Sequence, residues 1–180
     1  GGSDPGKIGI NGLEEKEVNL AIAQYVEELL KKEKIEVVMT REKDEMLSEN
    51  GGEKTKIGDM KMRVEQINKE KPILAVSIHQ NSYPQEEIKG AQVFYYTHSD
   101  EGKKAAEIMQ ESLLMLDETN HRKAKANDTY YLLKRTESPT IIVECGFLSN
   151  TEEADLLTQD EYRKKVADAI VEGIKAYMEK

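Results

Sequence analysis

The chain has 180 residues, 38% of them hydrophobic and 34% charged, with a formal net charge of −9. That length supports one domain with a sizeable core rather than two, and the acidic balance disfavours nucleic acid as a partner, since phosphate binding needs a basic face, and gives no electrostatic pull toward anionic membranes or wall polymers. A single cysteine, Cys145, excludes an internal disulfide and leaves the redox compartment open, and no apolar run approaches the ~20 residues of a membrane span.

The chain opens with glycine-rich turns, GGSDPG and Asn11-Gly12, that lead directly into a helix. From Glu14 to Lys32 the residues Val18, Ile22, Tyr25, Val26 and Leu29 recur at helical spacing, with glutamates in the first turn, where the helix dipole favours them. Ile35 to Thr40 (IEVVMT) reads as a buried strand. Glu42 to Lys56 is polar and glycine-bearing, a loop or flap. Met60, Val64 and Ile67 mark a second helix, ended by Lys71-Pro72. Ile73 to His79 (ILAVSIH) reads as a second strand, buried on both faces, followed by the loop NSYPQEEIKG.

Ala91 to Thr97 is a third strand. Ser99 is placed to cap a helix to about Glu118, with Ala105, Ile108, Met109, Leu113 and Leu116 on one side. Thr119 to Asp128 is a basic, polar connector, and Tyr130 to Leu133 is a short apolar piece, strand or helix end. Thr140 to Phe147 (TIIVECGF) is a fourth strand, started after Pro139. A short helix over about Glu152 to Leu157 follows, then a capping box from Thr158 and Glu161 and a last helix carrying Val166, Ile170, Ile174 and Tyr177. The alternation predicts a single α/β domain over residues 1–180, with a mostly parallel or mixed sheet flanked by helices on both faces. No repeat, linker or low-complexity segment divides it.

In open α/β sheets, ligands gather at the carboxyl ends of strands. Two apolar strands here end in titratable groups: one delivers His79, then Gln80 and Asn81, and the other delivers Glu144, then Cys145 and Gly146. A carboxylate closing an apolar strand needs a partner, and a metal, an arginine or a helix end would each supply one. His79 reads as a ligand or as a satisfied structural residue. Glu15 by itself reads as one of several carboxylates in a first helical turn. Cys145 reads as a small core residue, with a nucleophile paired to His79 as the sharper alternative. His98 and His121 lie in polar loops, and Tyr130-Tyr131 reads as core or as cleft wall.

The segments GGSDPGKIGINGLEEKEVNLAIA, VVMTR, MRVEQIN, AVSIHQNS, GAQVFYY and IIVECGFLSN, spread in order from Gly1 to Asn150, resemble the zinc-dependent N-acetylmuramoyl-L-alanine amidases of the amidase-3 type. SIHQNS, GAQVFYY and NHRKAKANDTYYLLKRT look most like the spore-cortex, germination-specific (CwlD-like) members. The resemblance implies Zn2+ held by Glu15 and His79, with Glu144 as the catalytic carboxylate. A third ligand is expected from a His just upstream of Gly1, on a first strand that this sequence lacks. Asn81 is implied as a substrate-binding or orienting group. Arg122 is implied as a partner for a substrate carboxylate or as a surface residue.

The implied reaction is hydrolysis of the amide between N-acetylmuramic acid and L-alanine in peptidoglycan, in spore cortex maturation. The alternative is a catalytically silent peptidoglycan-binding or scaffolding module of the same fold, and a third reading is a different metallohydrolase, such as a carboxypeptidase, on a similar scaffold. The expected place is extracytoplasmic, in the cell envelope or forespore intermembrane space, with no export signal in this chain. Expected partners are peptidoglycan, an accessory lipoprotein and a peptidoglycan deacetylase acting alongside, with no nucleic acid.

Overall fold

The computed structural model of the protein describes residues 1–50 and 55–180. Its elements are, in order, α1 (Glu15–Lys32), a 3-10 turn (Leu47–Asn50), α2 (Lys56–Glu70), β1 (Ala75–Asn81), β2 (Gln92–Tyr96), α3 (Asp100–Leu114), β3 (Lys125–Asn127), α4 (Tyr131–Arg135), β4 (Thr140–Phe147), α5 (Thr151–Thr158) and α6 (Asp160–Met178). The strands form one sheet in the order β1-β4-β2-β3. β1 is parallel and β2 antiparallel to β4, and β3 is parallel to β2, so the sheet is mixed.

The period of two in a strand sorts side chains onto two faces. Val76 and Ile78 of β1, Ile141, Val143 and Cys145 of β4, and Val93 and Tyr95 of β2 all join the main core, together with Val18 and Ile22 of α1, Met109 and Leu113 of α3, and Ile170 of α6. Registered beside them on the other face are Ser77 with Ile142, His79 with Glu144, Gln92 with Glu144, and Phe94 with Ile142. That face is covered more thinly. Phe94, Ile142 and Leu133 form a second small cluster with Tyr96 and Tyr130, and α4 lies over β2 and β4 with α2 against it. The polar row His79–Glu144–Gln92 crosses this thinner face at the carboxyl end of β4.

Local chemistry accounts for the elements. α1 buries Val18, Ile22, Val26 and Leu30 along one stripe and has Glu15 and Glu17 at its start and Lys31 and Lys32 at its end, matching its dipole. The Ser99 hydroxyl caps α3 by accepting from Gly102 N. Lys71 ends α2 in the left-handed conformation before Pro72. β4 is buried along its whole length, which its β-branched run favours.

Several expectations are corrected. Residues 35–40 are not a strand: they alternate between half-buried and exposed, and Val38 is 52% exposed. Among the described residues they have no ladder partner, and Met39 O and Thr40 Oγ1 accept from the side chains of Gln66 and Arg63 instead. β1 is a sheet edge and only half-buried, with Ile73 outside it and 66% exposed. The helix capped by Ser99 stops at Leu114, and a hidden strand, β3, lies within the polar connector. The apolar piece after Tyr130 is a helix start. The Thr158–Glu161 capping box does not form: Thr158 ends α5, its hydroxyl donates back to Asp155 O, and Gln159 starts α6 without a side-chain cap.

The flap expected over Glu42 to Lys56 falls partly on residues 51–54, outside the described residues. Its described part is tied down: Asp44 pairs with Lys16, Met46 is buried, and Leu47 N donates to Asp59 Oδ1. No helix among the described residues is long and apolar enough to cross a membrane.

β3 is too short to satisfy the start of β2, and a buried glutamine completes the job. Gln110 of α3, 3% exposed, accepts from Val93 N at 2.9 Å and donates to Ala91 O at 3.1 Å. Replacing it by alanine strands a buried N–H and weakens the pairing of a buried carbonyl. Gln110→Ala is expected to lower the unfolding free energy by about 2–4 kcal/mol, measured by urea denaturation.

Candidate active site

Glu15, His79 and Glu144, far apart in sequence, line one cavity of about 320 Å³ with Gly1, Gly6, Asn19, Arg41, Arg63, Ser77 and Tyr130. The strand ends bring His79 and Glu144 side by side, and the first turn of α1 brings Glu15 to the open edge of β1. Among the described residues no set of three His, Cys, Asp or Glu side chains is arranged to hold a metal ion.

Glu15 is 7% exposed and fully engaged. Its Oε2 accepts from Lys7 N at 2.8 Å, and its Oε1 accepts from Asn19 Nδ2 at 3.2 Å and Gln80 N at 3.2 Å, with His79 Nδ1 at 2.9 Å. Burial pushes this carboxyl up, but the His79 contact and the Lys7 and Asn19 donors outweigh it and hold it at about 2. His79 bridges the site, with Nε2 lying 3.1 Å from Ser77 Oγ. Its crowded setting disfavours charge, yet the bond to Glu15 and the charges of Glu144 and Glu15 raise its basicity overall.

Glu144 is the opposite case. It is 7% exposed, its Oε2 has no partner among the described residues, and burial first, then the Glu15 charge, push it up to about 7 against the pull of His79. Two carboxyl groups in one cavity are thus held at opposite ends of the titration range, the separation that distinguishes a permanent anion from a proton carrier.

Asn81 and Arg122 do not line this cavity. Asn81 Oδ1 accepts from Ser82 N and its carbonyl from Leu148 N, which shapes the strand end. Arg122 donates to Lys89 O and Gln92 Oε1 and lies over the Phe147 ring, with centroid distance 5.1 Å. It reaches the site only through Gln92, the register partner of Glu144. Cys145 is 1% exposed on the core face, and burial pushes its thiol far up, so it is no nucleophile. His98 and His121 are exposed.

Sequence reasoning missed Asn19 and Gly6. Asn19 was findable, since it stands four residues after Glu15 on the same helical face. Gly6 has φ +72°, and a Cβ there would lie 2.5 Å from Glu15 Oε2. Gly12 has φ +82° with nothing within 4 Å of its would-be Cβ. Gly12→Ala therefore carries backbone strain alone, about 1 kcal/mol. Gly6→Ala is expected to cost about 1–3 kcal/mol more and to shift the His79 ring signals in an NMR spectrum, which Gly12→Ala leaves in place.

Comparison with known proteins agrees in sequence and in fold. The family described as N-acetylmuramoyl-L-alanine amidase matches residues 1–176. The chain is 39% identical over 180 residues to the germination-specific N-acetylmuramoyl-L-alanine amidase of Bacillus subtilis, covering 98% of this chain and 76% of that one. It is 28% identical to the amidase AmiA of Escherichia coli, covering 98% and 73%. Among solved structures, the CwlD amidase of Clostridioides difficile, in complex with the GerS lipoprotein, superposes with a TM-score of 0.94 at 38% identity, covering 99% of this chain and 94% of that one. The catalytic domain of CwlV from Bacillus (Paenibacillus) polymyxa superposes with a TM-score of 0.87 at 30% identity, covering 99% and 93%. A match over nearly the whole length, on a fold that gathers Glu15, His79 and Glu144 into one cavity, means that the chain belongs to the N-acetylmuramoyl-L-alanine amidase family.

Proposed function

We propose that this chain hydrolyses the amide bond joining the lactyl group of N-acetylmuramic acid to L-alanine in peptidoglycan, with Glu144 as the proton carrier and with Glu15 and His79 as ligands of a zinc ion. The observation that carries this reading is the partnerless, buried Glu144 oxygen beside the Glu15–His79 pair. The residue types fit the metal: zinc takes imidazole nitrogen and carboxylate oxygen, Glu15 is ionised throughout the working pH range, and the buried Glu144 oxygen on the same cavity has no protein partner among the described residues. When bound, zinc supplies Lewis-acid polarisation of the amide carbonyl and lowers the pKa of water to about 7.

The chain's own groups do the rest. Glu144, poised near neutrality, accepts a proton from the attacking water at Oε2 and returns it to the departing L-alanine nitrogen. Asn19, Lys7 and Gln80 hold Glu15 through their N–H groups, which fixes His79 in turn. The buried setting of Glu144 keeps bulk water from stabilising its charged form, so it can hold the proton between the two transfers.

The germination-specific relative supports a place in spore cortex maturation, outside the cytoplasm in the forespore intermembrane space, where the polymer lies. The lipoprotein seated on the Clostridioides difficile relative supports an accessory lipoprotein as partner. A peptidoglycan deacetylase acting on the same glycan completes the scheme.

Glu144→Gln is expected to bind zinc as the parent does and to lose about 10²–10⁴-fold in cleavage, read as new L-alanine amino termini released from peptidoglycan. A fully active variant removes Glu144 from the reaction. Zinc is expected to raise the unfolding midpoint of the parent by mass action, and Glu15→Ala or His79→Ala to abolish that rise.

A further inference from the structure

Tyr130 is the one aromatic residue of the second cluster that also lines the cavity of Glu15, His79 and Glu144. Its ring is held rigidly. It meets Phe94 edge-on, with centroids 5.7 Å apart, and packs with Leu133 and Ile142. Ile142 stands two residues before Glu144 on β4, so ring and carboxylate share one face of the sheet. The backbone is held as firmly: Asn127, the last residue of β3, accepts from Thr129 N and Tyr130 N at 2.8 Å each. This turn sets Tyr130 at the start of α4.

The Tyr130 hydroxyl, like that of Tyr131 on the same cavity wall, has no hydrogen-bond partner among the described residues, whereas Tyr25 and Tyr177 donate theirs to Asp160 and Glu101. The edge-on Phe94 contact and the Asn127 turn are what set Tyr130 apart. Burial, followed by the charges of Glu144 and Glu15, raises its pKa, so it stays a donor at neutral pH. A fixed, protonated donor without a protein acceptor, on the wall of a reaction cavity, matches the geometry used to stabilise developing negative charge.

We propose that the Tyr130 hydroxyl donates a hydrogen bond to the scissile carbonyl oxygen as that oxygen gains negative charge. This rests on the amidase reading above. The lateral Phe94 contact holds the ring against the sheet, so the donor needs no reorganisation when the substrate enters.

Tyr130→Phe keeps the ring and its packing and removes only the donor. In the full-length, zinc-loaded protein it is expected to lower kcat about 10–100-fold, with KM within twofold and with zinc content and unfolding midpoint unchanged. A second measurement uses binding alone: a phosphinate mimic of the tetrahedral state of the muramyl–L-alanine amide, titrated by calorimetry, is expected to bind Tyr130→Phe at least tenfold more weakly, while the cleaved muramyl product binds equally. A kcat within twofold of the parent, or a loss carried by KM, overturns the proposal. A parent that neither cleaves peptidoglycan nor binds the phosphinate overturns the amidase reading as well, whereas a cleaving parent with an equally active Tyr130→Phe overturns this assignment alone.

Discussion

The register of β4 between β1 and β2 is the constraint on which the rest of the molecule depends. Every residue of β4 is buried, and its period of two divides Ile141, Val143 and Cys145 from Ile142 and Glu144. A slip of one residue would drive Glu144 into the core packed by α1, α3 and α6 and lift Val143 into the cavity. The apolar face is therefore what fixes the polar one: packing energy on one side of the sheet aims the carboxylate on the other. The clamp at the end of β4 serves the same purpose. Glu153 of α5 accepts from Phe147 N at 2.7 Å and Gly90 N at 3.0 Å, tying the ends of β4 and of the loop before β2 to one carboxylate.

The site then assigns different fates to two chemically similar groups. Glu15 lies where backbone and side-chain N–H donors converge, and its charge is stabilised in place. Glu144, one strand away, is buried without donors, and its proton is held far more tightly. The His79 contact contributes most to holding Glu15 low, and backbone geometry adds to it. The left-handed Gly6 lets the loop close over Glu15 and present Lys7 N to it, while the interior of the sheet offers Glu144 no free N–H.

Much of this was legible in the residues. The run TIIVECGF has the length and composition of a buried strand, the stripe of α1 has unbroken helical spacing, and Ser99 stands where its hydroxyl meets Gly102 N. Glu144 was conspicuous as a carboxylate ending an apolar run. What failed depended on partners. IEVVMT has strand chemistry, but a strand exists only if another backbone lies alongside it. Thr158 has capping chemistry, but its hydroxyl finds the nearer Asp155 carbonyl. β3 is three residues of polar sequence, formed because β2 offers it a free edge. Arg122 and Asn81 lie outside the cavity of Glu15, His79 and Glu144: Asn81 ends β1 and bonds to Ser82 N, and Arg122 bonds to Lys89 O and Gln92. Glu153 and Gln110 look like ordinary helix-surface residues in sequence, and only the placement of α3 and α5 against the sheet buries them.

Cys145 illustrates the last consequence of the two-faced sheet. It adjoins Glu144 in sequence, yet the pleat turns its thiol into the main core, with Sγ directed toward Val143 O. Mixed-disulfide exchange and stepwise oxidation to sulfenic and sulfinic acids require a thiolate and an open approach, and this sulfur has neither. An unpaired cysteine one residue from Glu144 is thereby kept out of redox chemistry, and an oxidant reaching the cavity meets no thiol there.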